Sequence, residues 1–168
     1  MALIKPYLHH QPIIAHNVFL AENATLIGEV EIGENSSVWY QAVLRGDVGR
    51  ITIGRETNIQ DAAILHTTTG LSVCEVGDRV TVGHRAVLHG CKVEDEVLIG
   101  MGAIVLDNAF LPRHCIVAAG ALVKENEVLE SGFLYAGLPA RKVKAISEKQ
   151  IQMIQLGALH YVEVMGEH

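Results

Sequence analysis

The segment LAENATLIGEVEIGENSSVWYQAVL, from Leu20 to Leu44, decides the architecture. Leu20, Leu26, Ile32, Val38 and Leu44 recur at a constant step of six, and Ala24, Val30, Ser36, Ala42 and Val48 each stand four positions later. An aliphatic residue followed at that distance by a small one describes a short strand that points one side chain inward and then turns a tight corner. Gly33, directly after Ile32, suits the same bend. Outward from this stretch the step resumes at Ile53, Ile59, Leu65, again at Val76, Val82, Leu88, and last at Val93, Ile99, Val105, Leu111, Val117, Val123. One rule therefore covers about residues 14 to 124.

Units of six residues cannot each bury an apolar side, so they stack three to a triangular coil, and successive coils pair as parallel strands. Six-residue spacing matches no helical face, and the Val and Ile enrichment favours strands over a helical solenoid. The expected fold is an all-β solenoid, a left-handed parallel β-helix of hexapeptide repeats with a C-terminal α-helix. Its handedness is taken from the likeness to other hexapeptide β-helices, because the general crossover rule favours the right hand. Residues 1–146 are expected to form the β-helix, with an N-terminal strand and a loop from Lys124 to Ile146 that contains Gly132, Gly137 and Pro139. Residues 147–168 complete the single domain as a helix covering one flank. Ser147 and Gln150 make a capping box at its start. Ile151, Ile154, Ala158, Val162 and Met165 fall on one face. Gly157 within it costs about 1 kcal/mol of helix propensity.

Composition narrows the partners. The 168 residues carry 13 basic and 19 acidic side chains, a formal charge of −6, with no basic stripe of the kind a nucleic-acid groove requires. No apolar run is long enough to span a membrane, and the start Met-Ala-Leu-Ile-Lys-Pro lacks the features of an export signal. A soluble, cytoplasmic protein is expected. Cys74, Cys91 and Cys115 are odd in number and lack C-x-x-C spacing, so buried free thiols are expected, not disulfides or a thiolate metal site.

Nine histidines are many for this length. His9, His10, His16, His114 and His168 lie near termini or in turns and need no function beyond solvation. His66, His84 and His89 can be placed from the repeat register. His66 follows the inward Leu65 and His89 follows the inward Leu88, and three steps separate the two leucines. Both histidines therefore occupy the same outward position in adjacent coils, about 4.8 Å apart. Their separation of 23 residues is one 18-residue coil plus a five-residue bulge between Leu65 and Val76. His84, two after the inward Val82, stands on a different face, where a neighbouring subunit can meet it. A threefold assembly would then place three imidazoles at each interface. Three histidines with one open position is the arrangement of a catalytic zinc site. Arg45 shares the column of His66 and His89, and Asp61 shares that of His84, with Gln60 beside it. Asp47 can hold the Arg45 guanidinium, and Asp61 can pair with Arg45 across the interface. A purely structural interfacial ion pair is the competing reading of these charges.

These residues resemble the γ-class carbonic anhydrase-like family. The likeness rests on Arg45-Gly46-Asp47, Asn58-Ile59-Gln60-Asp61, Leu65-His66, Val82-Gly83-His84, Leu88-His89-Gly90-Cys91, Gly100-Met101-Gly102, the Ala136-Gly137-Leu138-Pro139-Ala140 turn and the terminal helix. It implies a lyase: a homotrimer that hydrates carbon dioxide reversibly to bicarbonate, with zinc, alternatively ferrous iron, held between subunits by His66, His84 and His89. It further implies that Arg45 helps bind bicarbonate, that Gln60 positions the hydroxide, and that Tyr161 matches an active-site tyrosine of one branch. The family's shuttle glutamates are missing: Val48 follows Asp47, and between Thr67 and Gly83 only Glu75 and Asp78 are acidic. Hydration is expected to be slow on that account. Two other functions compete. One is an acyltransferase or thioesterase acting on a coenzyme A ester, with a histidine as general base. The other is a non-catalytic trimer that the metal merely staples.

Overall fold

The six-residue step is realised as a three-faced parallel β-solenoid in a computed structural model that describes residues 1–168. On the first face Leu26, Leu44, Leu65, Leu88, Val105 and Val123 stack in register and are fully buried. The second face stacks Ile32, Ile53, Val76, Val93 and Leu111. The third stacks Leu20, Val38, Ile59, Val82, Ile99 and Val117. Between the third and first faces the small corner residue is alanine in six coils, Ala24, Ala42, Ala63, Ala86, Ala103 and Ala121, all buried. The other two corners take larger buried side chains, among them Val30, Ile51, Val80 and Val97. Val48, expected in a corner, is exposed instead. The strand Val43–Ile53 runs across that corner without a break and carries extra residues outward.

Corner backbones reverse direction through left-handed φ values, even at residues with a Cβ. Asn35, Glu56, Arg79, Glu96 and His114 adopt φ between 53° and 59°, one per coil. Each costs about 1 to 2 kcal/mol against an ordinary conformation. Inter-coil hydrogen bonds hold them, such as Glu56 N–H to Glu34 O at 3.0 Å and Arg79 N–H to Arg55 O at 2.8 Å.

The tail departs from expectation. The stretch read as a loop, Lys124 to Ile146, contains strands Phe133–Ala136 and Arg141–Ala145. The step of six in fact continues to Leu129 and Tyr135, both buried, with Tyr135 in register with Val117. An aromatic side chain ends the inward column and fills the wider space where no further coil stacks. Arg141–Ala145 then pairs antiparallel to Phe133–Ala136 and closes the sheet.

Helix α1, Glu148–Val164, starts where expected, and both bonds of the Ser147 and Gln150 capping box are present. It buries Ile154 and Ala158 against the third face, and Met165 follows in a short turn. Ile151 and Val162 are half-buried. A polar tie adds to this contact: Gln155 Nε2 donates to Glu96 at 3.1 Å. Glu96 is 4% exposed and also receives Arg113 at 2.8 Å, His114 at 2.7 Å and Arg79 at 3.1 Å. Burial alone would push its carboxyl up, but bonds from Arg113, His114, Gln155 and Arg79 outweigh it and hold the group at about 2. All three cysteines are free and buried, as expected. No helix is long and apolar enough to cross a membrane.

Candidate metal centre

His66 and His89 meet because their strands, Ile64–His66 and Val87–His89, pair in direct register. The longer interval from Leu65 to Val76 leaves as a surface loop and does not disturb the ladder. Nδ1 of His66 lies 3.2 Å from Nε2 of His89. Behind each ring stands a carboxylate: Asp47 Oδ1 is 3.1 Å from His66 Nε2, and Asp107 Oδ2 is 3.0 Å from His89 Nδ1. A carboxylate draws the ring N–H to its own side, which turns both remaining lone pairs toward each other. Two lone pairs at that distance require a proton or a cation between them. A tetrahedral ion that holds two nitrogens at 2.0 to 2.1 Å sets them about 3.3 to 3.4 Å apart, so the pair fits a metal such as zinc.

The charged neighbours are ordered. Arg45 Nη1 is 2.6 Å from Asp47 Oδ2, so Asp47 bridges Arg45 and His66. Burial works against the Asp47 carboxylate, yet the bonds from Arg45 and His66 hold its carboxyl below the ordinary value. Burial likewise opposes the Asp107 charge, and bonds from Ser72, His89 and Thr68 prevail and lower it.

His84 stands apart from this pair, at the corner after the strand Thr81–Val82. No three His, Cys, Asp or Glu side chains of the single chain are grouped to hold a metal. His84 Nδ1 lies 2.7 Å from Asp61 Oδ2, so within the chain Asp61 partners His84. Gln60 is buried below. Its Oε1 accepts from the His84 N–H at 3.2 Å and its Nε2 donates to Asn58 at 3.0 Å, which steadies the backbone that carries His84. Around His84 and Asp61 opens a hollow of about 610 Å³, lined also by Gln41, Arg85 and Met101. Tyr161 packs edge-on to Trp39 at 5.4 Å. Burial and the charge of Asp61 push its hydroxyl up.

Asp107, Ser72 and Thr68 escaped the reading of the sequence. Asp107 stands two after the inward Val105, in the coil stacked on His89 and Gly90. Its signal was an acidic residue at a corner position adjoining a histidine column.

No protein-family model matches the chain. Over 162 residues it is 43% identical to gamma carbonic anhydrase 2, mitochondrial, of Arabidopsis thaliana, covering 94% of this chain and 58% of that protein. The chain thus spans little more than half of that relative's length. Over 152 residues it is 44% identical to a probable carbonic anhydrase of Methanocaldococcus jannaschii, covering 90% of this chain and 95% of that one. Among solved structures, a hexapeptide transferase family protein from Anaplasma phagocytophilum superposes with a TM-score of 0.94 at 37% identity, covering 99% and 98% of the two chains. Stacked six-residue units carrying paired imidazoles on an outer face define a hexapeptide-repeat β-solenoid. Identity at this level across nearly the whole chain settles the rest: it belongs to the γ-class carbonic anhydrase family.

Proposed function

We propose that this chain hydrates carbon dioxide reversibly to bicarbonate at a metal site shared between subunits of a homotrimer. The observation that carries the reading is the pair of imidazole nitrogens 3.2 Å apart with a carboxylate behind each ring. His66 and His89 of one subunit and a neighbour's His84 would hold zinc, or alternatively ferrous iron. Such a cation, once bound, lowers the pKa of a water to about 7 and so supplies hydroxide near neutral pH, a value borrowed from a carbonic anhydrase of unrelated fold.

The remaining chemistry belongs to the chain's own groups. Asp47 fixes the Arg45 guanidinium, which offers bicarbonate a planar pair of donors. Gln60, bonded to the His84 N–H, would orient the attacking oxygen through its remaining amide hydrogen, and Asp61 would orient the His84 ring. Tyr161, whose hydroxyl burial and the Asp61 charge push up, keeps its proton at neutral pH and would serve as a donor. Beside Asp47 the surface is lined by Val48, Leu71 and Val73, which cannot take up a proton. Soluble buffer therefore has to accept it, which makes hydration slow and buffer-dependent.

The trimer is supported by the outer surface of the first face. Ile64 is 44% exposed and Ile104 37%, and with Val43, Val87 and Leu122 they form an apolar ridge beside the histidine column. Covering that ridge with a second subunit removes apolar area from water and brings foreign side chains against His66 and His89.

The test is metal content and native mass of protein purified without chelator, followed by carbon dioxide hydration on the same sample at two buffer concentrations. One metal per subunit in a trimer, with hydration that rises with buffer, is the expected result. A trimer that takes up neither zinc nor iron would overturn the reading in favour of action on a coenzyme A ester, in keeping with the hexapeptide transferase likeness. A metal-loaded but inactive trimer would leave only a stapling role for the metal.

A further inference from the structure

We propose that Asp107 is a positioning residue that sets the tautomer of His89, and that the loop Thr67 to Val73 exists to hold Asp107 in place. The inference deepens the metal-site reading and rests on it for its functional meaning.

The coil from Leu65 to Leu88 holds 23 residues, and the excess forms this loop. Two of its hydroxyls converge on one side chain. Thr68 Oγ1 donates to Asp107 Oδ2 at 3.2 Å, and Ser72 Oγ donates to Asp107 Oδ1 in a short bond. The loop also closes on itself, with Thr68 N–H donating to Ser72 Oγ at 3.1 Å. Asp107 is only 7% exposed, and its third partner is His89 Nδ1. Gly90 makes the arrangement sterically possible. Its φ is +63°, and a Cβ there would collide with both the Ser72 hydroxyl and the Asp107 carboxylate.

The consequence for His89 follows from donor and acceptor counting. With two hydroxyls donating to it, the carboxylate is pinned and has only lone pairs to offer. His89 must therefore carry a proton on Nδ1, and Nε2 faces His66 Nδ1 at 3.2 Å as an acceptor, for a metal or, without one, for a proton from His66. A partner of this kind fixes ring orientation and raises ligand basicity. A free ring would sample both tautomers and several rotations, and would have to be ordered at the moment of binding.

The experiment combines a metal-independent readout with a metal-dependent one. In the chelator-treated trimer, the ¹⁵N shifts of His89 report its tautomer, and titration with zinc against a competing chelator reports affinity. Wild type is expected to show the Nδ1–H tautomer. Asp107→Ala is expected to lose that tautomer and to weaken zinc about 10- to 100-fold. Asp107→Asn keeps an acceptor oxygen and should retain the tautomer with a smaller loss. Thr68→Val combined with Ser72→Ala should weaken zinc by a few-fold while His89 stays near Nδ1–H. Glu96→Gln serves as the control for stability alone, with zinc affinity unchanged. An Nε2–H tautomer in wild type would overturn the proposal, as would Asp107→Ala with zinc affinity within twofold of wild type. If wild type binds no zinc, the metal reading falls by itself, and the tautomer measurement still decides what Asp107 does.

Discussion

Glu96→Gln should remove one steep component of acid sensitivity. Glu96 joins Arg79, Arg113, His114 and, through Gln155, helix α1 at one buried point. Its carboxyl is held at about 2 in the folded chain against an ordinary 4.5. Because the folded value is the lower one, the stabilisation is complete above pH 4.5 and declines as pH falls toward 2. The difference corresponds to on the order of 3 kcal/mol at neutral pH, of which roughly 2 kcal/mol is gone by pH 3. Glutamine cannot ionise, so the variant loses a similar amount at pH 7 and has no such decline. Urea unfolding at pH 7, 4 and 3, at one protein concentration, measures both effects. Trp39 reports helix docking through fluorescence, since Tyr161 and His168 contact its ring at 5.4 and 5.2 Å. Asp47 and Asp107 are also held below their ordinary value, so the informative quantity is wild type minus variant. A difference that stays constant from pH 7 to pH 3 would refute the assignment.

His84→Ala should abolish stoichiometric metal binding and leave the circular dichroism of the solenoid unchanged, because the side chain points out of the core; retained stoichiometric metal would refute the shared site. Leu65→Ala should cost about 2 to 5 kcal/mol of stability, since Leu65 is fully buried between coils, and its denaturation midpoint tests this. The three thiols should resist alkylation at pH 8 in the native state and react on unfolding. Hydrogen bonding with Cys74 and burial push the Cys91 thiol up, and burial pushes Cys115 to about 11. Ser147→Ala should cost about 1 kcal/mol through loss of the cap and loosen α1, read as a drop in thermal midpoint.

The core was legible because every inward position is decided locally, by a residue type and a step. Reading failed at Leu129 and Tyr135: the step persisted, but the Lys124 to Glu127 stretch masked it and Tyr135 is aromatic where the earlier inward residues are aliphatic. His66 and His89 were legible for a related reason: parallel coils translate sequence register directly into contact, and an insertion changes the count without changing the column. Asp61 was read as a partner for Arg45 across an interface; within the chain it also lies 2.7 Å from its column mate His84. The stacking rule that placed both residues already contained that pairing. Asp107 and Glu96 were not legible. Each sits at a corner, where side chains splay by amounts that no period encodes, and each gathers partners from segments far apart in sequence.

The third-face ladder runs Val38, Ile59, Val82, Ile99, Val117 at intervals of 21, 23, 17 and 18 residues with its pairing intact. Chain length between rungs is thus free to vary while the rungs stay fixed. The two longest intervals are the two that enclose Asp47, His66 and the loop on Asp107. For a lineage of such chains, chemistry can be acquired by lengthening a corner and lost by trimming one, with the stacked aliphatic column inherited unaltered. Transplanting the 67–73 loop between solenoids of this period would have to carry Asp107 and Gly90 along with it, and would leave the inward aliphatic column untouched.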